Sequence, residues 1–159
     1  MKCTKGEDLM NRRDFLGSAA ALPAALVPQH QGITHIDTVR DGAPLKSSIV
    51  RADTLTATGD APGARAKVHF NGPTKQLAAL ASGLVTLEPG ARPHPPHRHP
   101  EEELVIVGEG TGEFTVDGVT MHVKAGDMMY AEANVLHGIV NTGKTRMTFY
   151  FTKMLAKNA

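Results

Sequence analysis

Apolar residues in the second half of the chain fall in short runs broken by glycine and proline, which predicts strands rather than long helices. Ala66–Phe70 reads as a strand, followed by a turn at Gly72-Pro73. Gln76–Leu87 is apolar enough to be helical by propensity, but Gly83 and the Val85-Thr86-Leu87 run favour strand. Glu88-Pro89-Gly90 is a turn. Glu102–Val107 places Leu104 and Ile106 on one face and Val105 and Val107 on the other. An antiparallel strand apolar on both faces is buried on both, so one face lines a core and the other needs a second sheet or a partner subunit. Glu113–Val116 and Val119–Val123 flank Asp117-Gly118, a two-residue hairpin turn. Asp127–Ala131, His137–Asn141 and Met147–Lys153 complete the strand set, and the final residues read as a tail. Before these strands, residues 30–46 are polar and turn-rich and read as an arm or linker. Ser47–Leu55 fits a strand or a short helix, and 56–64 is a loop.

Composition supports an all-β domain. The chain has 159 residues, room for one domain, and its 26 glycines and prolines recur as turn punctuation. Basic and acidic residues number 17 and 16, which argues against nucleic acid or an anionic membrane as partner. The lone cysteine, Cys3, excludes an intrachain disulfide and a thiolate-rich metal site. No internal repeat is visible.

The N-terminus reads as an address. Met10–Leu16, MNRRDFL, resembles a twin-arginine export signal through Arg12, Arg13, Phe15 and Leu16. The weakly apolar GSAAALPAALV after it is too short to span a bilayer, so no stable membrane span is expected. This divides the chain into an export signal at 1–28, an arm with the first strands at 29–65, a barrel at 66–153 and a tail at 154–159. The expected location is periplasmic or secreted.

The chemistry concentrates between Gly90 and Gly110. His97, His99 and Glu103 share one parity, so an extended backbone would point all three the same way. Imidazoles and a carboxylate together suit a borderline divalent metal. His137, beyond the hairpin, is the candidate fourth ligand. The prolines at 93, 95, 96 and 100 keep the approach to this segment from pairing as a central strand. His94 reads as a rim residue, Glu101 and Glu102 as a solvated run, and Arg98 as pointing away from the metal. Met128, Met129, Tyr130, Met147, Phe149 and Phe151 read mainly as core, with some of them lining the pocket. Asn141 reads as a support for the turn near His137.

The spacing resembles that of the cupin family, whose first motif is G-x5-HxH-x3/4-E-x6-G and whose second is G-x5-PxG-x2-H-x3-N. Here Gly90, six residues, His97-Arg98-His99, three residues, Glu103, six residues and Gly110 follow the first. Gly126, five residues, Glu132-Ala133-Asn134, two residues, His137, three residues and Asn141 follow the second. The departures are one extra residue before His97, Glu132 in place of proline and Asn134 in place of glycine; asparagine tolerates the left-handed backbone a glycine would supply. The resemblance implies an all-β cupin double-stranded β-helix, a jelly-roll barrel. It also implies one divalent transition metal on His97, His99, Glu103 and His137; export of an already folded, metal-filled protein through the twin-arginine-like signal favours Mn or Fe, with Cu, Ni or Zn open. A homodimer and a small-molecule ligand or substrate are the partners implied. The leading functional expectation is an oxidoreductase of dioxygenase type in which Glu103 doubles as a base. The alternatives are a non-catalytic binding module and a non-redox lyase or isomerase.

Overall fold

The computed structural model describes residues 36–158. The export-signal reading therefore lies outside the described residues. Eight strands follow in chain order: β1 (Ala64–Gly72), β2 (Leu77–Leu87), β3 (Glu102–Glu109), β4 (Thr111–Val116), β5 (Val119–Lys124), β6 (Met128–Ala131), β7 (His137–Val140) and β8 (Met147–Ala156). They form a five-stranded sheet in the order β1-β2-β8-β3-β6 and a three-stranded sheet in the order β5-β4-β7, and these strands pair antiparallel throughout. Apolar side chains from both sheets meet between them, among them Val85, Leu87, Val105, Val107, Phe114, Ile139, Phe149 and Phe151. This is the cupin jelly roll expected from the sequence.

Gln76–Leu87 is settled as strand by pairing on both sides. β2 lies between β1 and β8, and its odd positions Ala79, Ala81, Gly83, Val85 and Leu87 are buried. A helix would have spread those residues around a cylinder instead of presenting one row to the core. Gly83 is needed for more than its strand context. A Cβ there would stand 2.5 Å from the Lys67 carbonyl oxygen and 2.9 Å from the Phe151 ring. The hairpin turn behaves as its residues predict: Asp117 and Gly118 both take positive φ, 47° and 80°, the requirement of a type I′ turn.

Three readings change. Ser47–Leu55 contains only a short 3-10 turn at Ala52–Thr54. β8 runs through Ala156, three residues beyond the 66–153 barrel boundary, because Leu155 and Met154 pair with Ala79 and Leu80 of β2. Met128 and Tyr130 are exposed, since β6 is a short edge strand whose alternate side chains face outward. Val105 and Val107 are buried while Leu104 and Ile106 are half-buried, so β3 presents Glu103, Val105 and Val107 to the inside as one row.

The arm is tied to the barrel. Asn71 on β1 accepts the Val39 N–H at 2.8 Å and donates to the Asp37 carbonyl at 2.8 Å. The Thr38 hydroxyl donates to Glu101 at 2.5 Å. Lys153 on β8 donates to the Ile36 carbonyl.

Replacing Gly83 with alanine forces its methyl against backbone and an aromatic edge, an overpacking that costs about 1–3 kcal/mol. Chemical denaturation should show that loss with an unchanged m-value; a Gly83→Ala protein as stable as wild type would contradict the close approach.

Candidate metal centre

The proline-rich approach carries no strand of its own, yet it is fixed. His97 and His137 exchange both backbone bonds, each N–H to the other's carbonyl at 3.0 Å. Two residues on, the His99 carbonyl accepts the Asn134 N–H at 2.8 Å, and the Arg98 guanidinium donates to the Asn134 carbonyl at 2.7 Å. Arg98 thus points away from the histidines, as alternation requires, and holds the turn before β7. In that turn Asn134 takes φ 61°, the left-handed conformation where the motif has glycine. Glu132, where the motif has proline, is exposed, and its carbonyl accepts the Val135 N–H at 3.2 Å.

Asn141 supports the far end. It is fully buried, donating to the Leu87 and Thr145 carbonyls at 3.0 and 2.9 Å and accepting the Gly143 N–H at 2.9 Å.

This lacing brings three imidazoles together. The rings of His97, His99 and His137 have centroids 4.8–5.1 Å apart, and their ligating nitrogens lie within 4.8 Å of one another. Backbone carbonyls set the ring orientations. His99 Nδ1 lies 3.0 Å from the Glu101 carbonyl, and His137 Nδ1 lies 2.8 Å from the Val135 carbonyl. A carbonyl can only accept, so both Nδ1 atoms carry protons and donate. In the neutral ring each Nε2 is then a bare lone pair. Both Nε2 atoms face the same atom, Glu103 Oε2, at 3.1 and 2.9 Å. Two lone pairs and a carboxylate oxygen repel at that range unless positive charge lies among them. A divalent metal supplies that charge, and the backbone carbonyls on Nδ1 are the outer partners a ligating histidine ordinarily has. The donor set fits a borderline transition metal.

Protons serve the same purpose when no metal is bound. Burial works against the Glu103 carboxylate, but hydrogen bonds from His137 and His99 outweigh it and hold the group far below the usual carboxylate range. Burial likewise works against the His137 imidazolium, but Glu103 and the Val135 carbonyl outweigh it and raise the ring.

The other candidates divide. His94 is half-buried with its ring edge-on to His97 at 3.9 Å, so it stands at the rim of the centre. Glu102 is exposed, but Glu101 is buried and is not part of a solvated run. Its carboxylate meets Thr38, approaches Arg40 at 3.8 Å and lies 3.3 Å from His99 Nδ1. His122 is exposed beside Glu113, and His69 is half-buried on β1. The residue sequence reasoning missed is Lys153, buried at 4% exposure on the inward row of β8 with Met147, Phe149 and Phe151. The signal was available in that parity, since Lys153 shares it with Met147, Phe149 and Phe151. A cavity joins His94, His97 and Glu103 to Phe149, Phe151 and Lys153.

The fold is a jelly-roll barrel of the cupin type carrying a candidate metal centre, and part of the chain is similar to known cupins. The cupin domain family model matches residues 83–153. A dimethylsulfoniopropionate lyase from Ruegeria pomeroyi is 32% identical over 76 residues, which span 48% of this chain and 49% of that enzyme. An RmlC-like cupin from Shewanella frigidimarina superposes with a TM-score of 0.59 at 22% identity, covering 70% of this chain and 94% of that one. A sugar phosphate isomerase of the cupin superfamily from Silicibacter pomeroyi gives 0.50 at 25% identity, covering 58% of this chain and 59% of that one. The chain thus matches about half the length of the lyase.

The shifts fix a pH dependence. His137, raised, contributes stability that is complete below its unfolded value near ~6.5 and is lost as pH rises through its folded value. Glu103, lowered, contributes stability present above its unfolded value near ~4.3 and lost as pH falls through its folded value. Metal-free protein should therefore melt highest between about pH 4.3 and 6.5. Metal should raise the melting temperature above that window and progressively less below it, because protons compete for the imidazoles. Thermal scans of metal-free and metal-loaded protein across this range check both statements. A metal increment unchanged down to about pH 4, below the histidine range, would contradict a histidine-based site.

Proposed function

We propose that this protein is a metal-dependent enzyme acting on a small organic molecule, with one divalent transition metal held by His97, His99, His137 and Glu103. The observation that carries the reading is the convergence of two Nε2 lone pairs on one carboxylate oxygen. Manganese or iron is the metal we favour, with copper, nickel or zinc open. When bound, such a metal supplies Lewis acidity or a redox couple. The chain supplies the rest. Backbone carbonyls fix the tautomers of His99 and His137. Phe149, Phe151 and Val85 give the cavity apolar walls that exclude bulk water. Glu103 is the one carboxylate among the described residues lining that cavity, and it is placed to take a substrate proton in addition to ligating.

Two reaction types follow. An O2-dependent oxidation of dioxygenase type is supported by the donor count, since four protein donors leave about two positions open on a six-coordinate ion. A lyase reaction, in which Glu103 removes a proton and the leaving group departs without net oxidation, is supported by the similarity to the dimethylsulfoniopropionate lyase. We also infer export through Arg12 and Arg13, and a homodimer. The exposed apolar side chains of Val119, Met121, Met128 and Tyr130 on β5 and β6 support the latter.

Metal-loaded protein incubated with dimethylsulfoniopropionate, catechols, flavonols and small keto acids in an oxygen-electrode cell separates these outcomes. Substrate-dependent oxygen uptake is the oxygenase result. Product formed with no oxygen consumed is the lyase result. Saturable binding with no turnover of any substrate would contradict an enzyme.

A further inference from the structure

Along the inward row of β8 the residues are Met147, Phe149, Phe151, Lys153 and Leu155. Four are apolar and one is a lysine as buried as the phenylalanines. Taking an ammonium out of water costs several kcal/mol even after relaxation, and a leucine or methionine at the same place would incur no such cost. Something must favour a cation at this point in the wall.

Its surroundings are specific. Lys153 is the cross-strand partner of Glu103, the residue facing the imidazole nitrogens. Such pairs hold their Cβ atoms about 4.5–5.5 Å apart. It lines the same cavity as His97 and Glu103, between the metal donors and the apolar wall of Val85, Phe149, Phe151 and Ile36. Its ammonium carries three N–H donors, and the Ile36 carbonyl takes one. Burial lowers the Lys153 pKa, while Glu103, Glu101 and Asp37 act to raise it. Glu101 is itself engaged by Thr38 and faced by Arg40. A divalent metal on Glu103 would use that carboxylate's charge as well. The cavity would then hold net positive charge, with one fixed organic cation beside the metal donors.

We propose that Lys153 holds the anionic end of the ligand, so that this cavity takes a small carboxylate with an apolar body. The assignment rests on the metal-site reading above and names the ligand class for that site. The apolar wall matches a short hydrocarbon chain, and a single ammonium at one end matches one carboxylate. The cavity offers about 30 Å³, against the ~10–15 Å³ that one water needs, so there is room beside the ammonium for more than a single water. Ile36 lines the cavity, so the arm forms part of its wall.

The test is calorimetric titration of propionate and its neutral counterpart propionamide into wild type, Lys153→Met and Lys153→Gln. Each is examined with and without metal, with metal content measured separately. Wild type should bind propionate about tenfold or more tightly than propionamide, the preference a hydrogen bond to a charged group confers. Both variants should lose that preference while keeping the wild-type fold and metal content. A folded variant with full metal and wild-type propionate affinity would overturn the assignment, because the metal alone would then hold the anion. So would wild type with no saturable propionate binding, or variants that lose metal and propionate together, which would make Lys153 structural. Lysine-dependent propionate binding in a protein that takes up no metal would leave this assignment standing and remove the metal reading.

Discussion

Two imidazole nitrogens aimed at one carboxylate oxygen cannot coexist in a buried site without a positive charge among them. His99 and His137 are turned into that position by backbone carbonyls on their other nitrogens. The carboxylate comes from Glu103 on the inward row of β3. The folded chain therefore holds a cluster whose components repel when empty and neutral, and attract when a cation or protons are present. Its neighbourhood follows from this constraint. The mutual backbone bridge of His97 and His137, the Arg98 clamp on Asn134 and the fully buried Asn141 all fix segments that would otherwise be loops. The charged groups form a continuous set in which Glu101 touches the arm and Lys153 faces Glu103 across two paired strands.

The arm ties into that set. Ile36, Thr38 and Asn71's partners Asp37 and Val39 are anchored by residues of β1 and β8 and by the approach to β3. A polar segment outside the sheets would gain little from packing alone. Here two of the hydrogen bonds run to the buried charges of Glu101 and Lys153, each worth more than a bond between neutral groups, and two run to the Asn71 amide. The same bonds add arm partners to Glu101 and Lys153, which already face His99 and Glu103 within the barrel. Arm and cavity are thereby coupled, since Ile36 is both the acceptor for Lys153 and part of the cavity wall.

Much of this was legible in the sequence, and for local reasons. The Asp117-Gly118 turn, the presence of each strand and the left-handed Asn134 depend on backbone preferences of a few residues, and these were readable in place. The histidine and glutamate spacing pointed to the donor set that the fold brings together, although the mechanism differs from simple alternation. His97 to Glu103 is not one extended strand but a bent segment pinned to β7. What escaped was decided by distant partners. Glu101 reads with Glu102 as a solvated run, and its burial depends on partners the run does not show, among them Thr38, 63 positions earlier. Lys153 is the last residue of the predicted Met147–Lys153 strand, and its burial depends on β3 lying beside β8. Met128 and Tyr130 read as core, and only the sheet order reveals that β6 is an edge.

The central claim is that the His97, His99, His137 and Glu103 cluster is a metal site. The most direct test is elemental analysis of the protein purified without added metal or a histidine tag, followed by reconstitution of any metal-free fraction. The account predicts one equivalent of a divalent transition metal per chain, present as isolated or taken up on reconstitution. Protein that contains no metal and takes none up would contradict it.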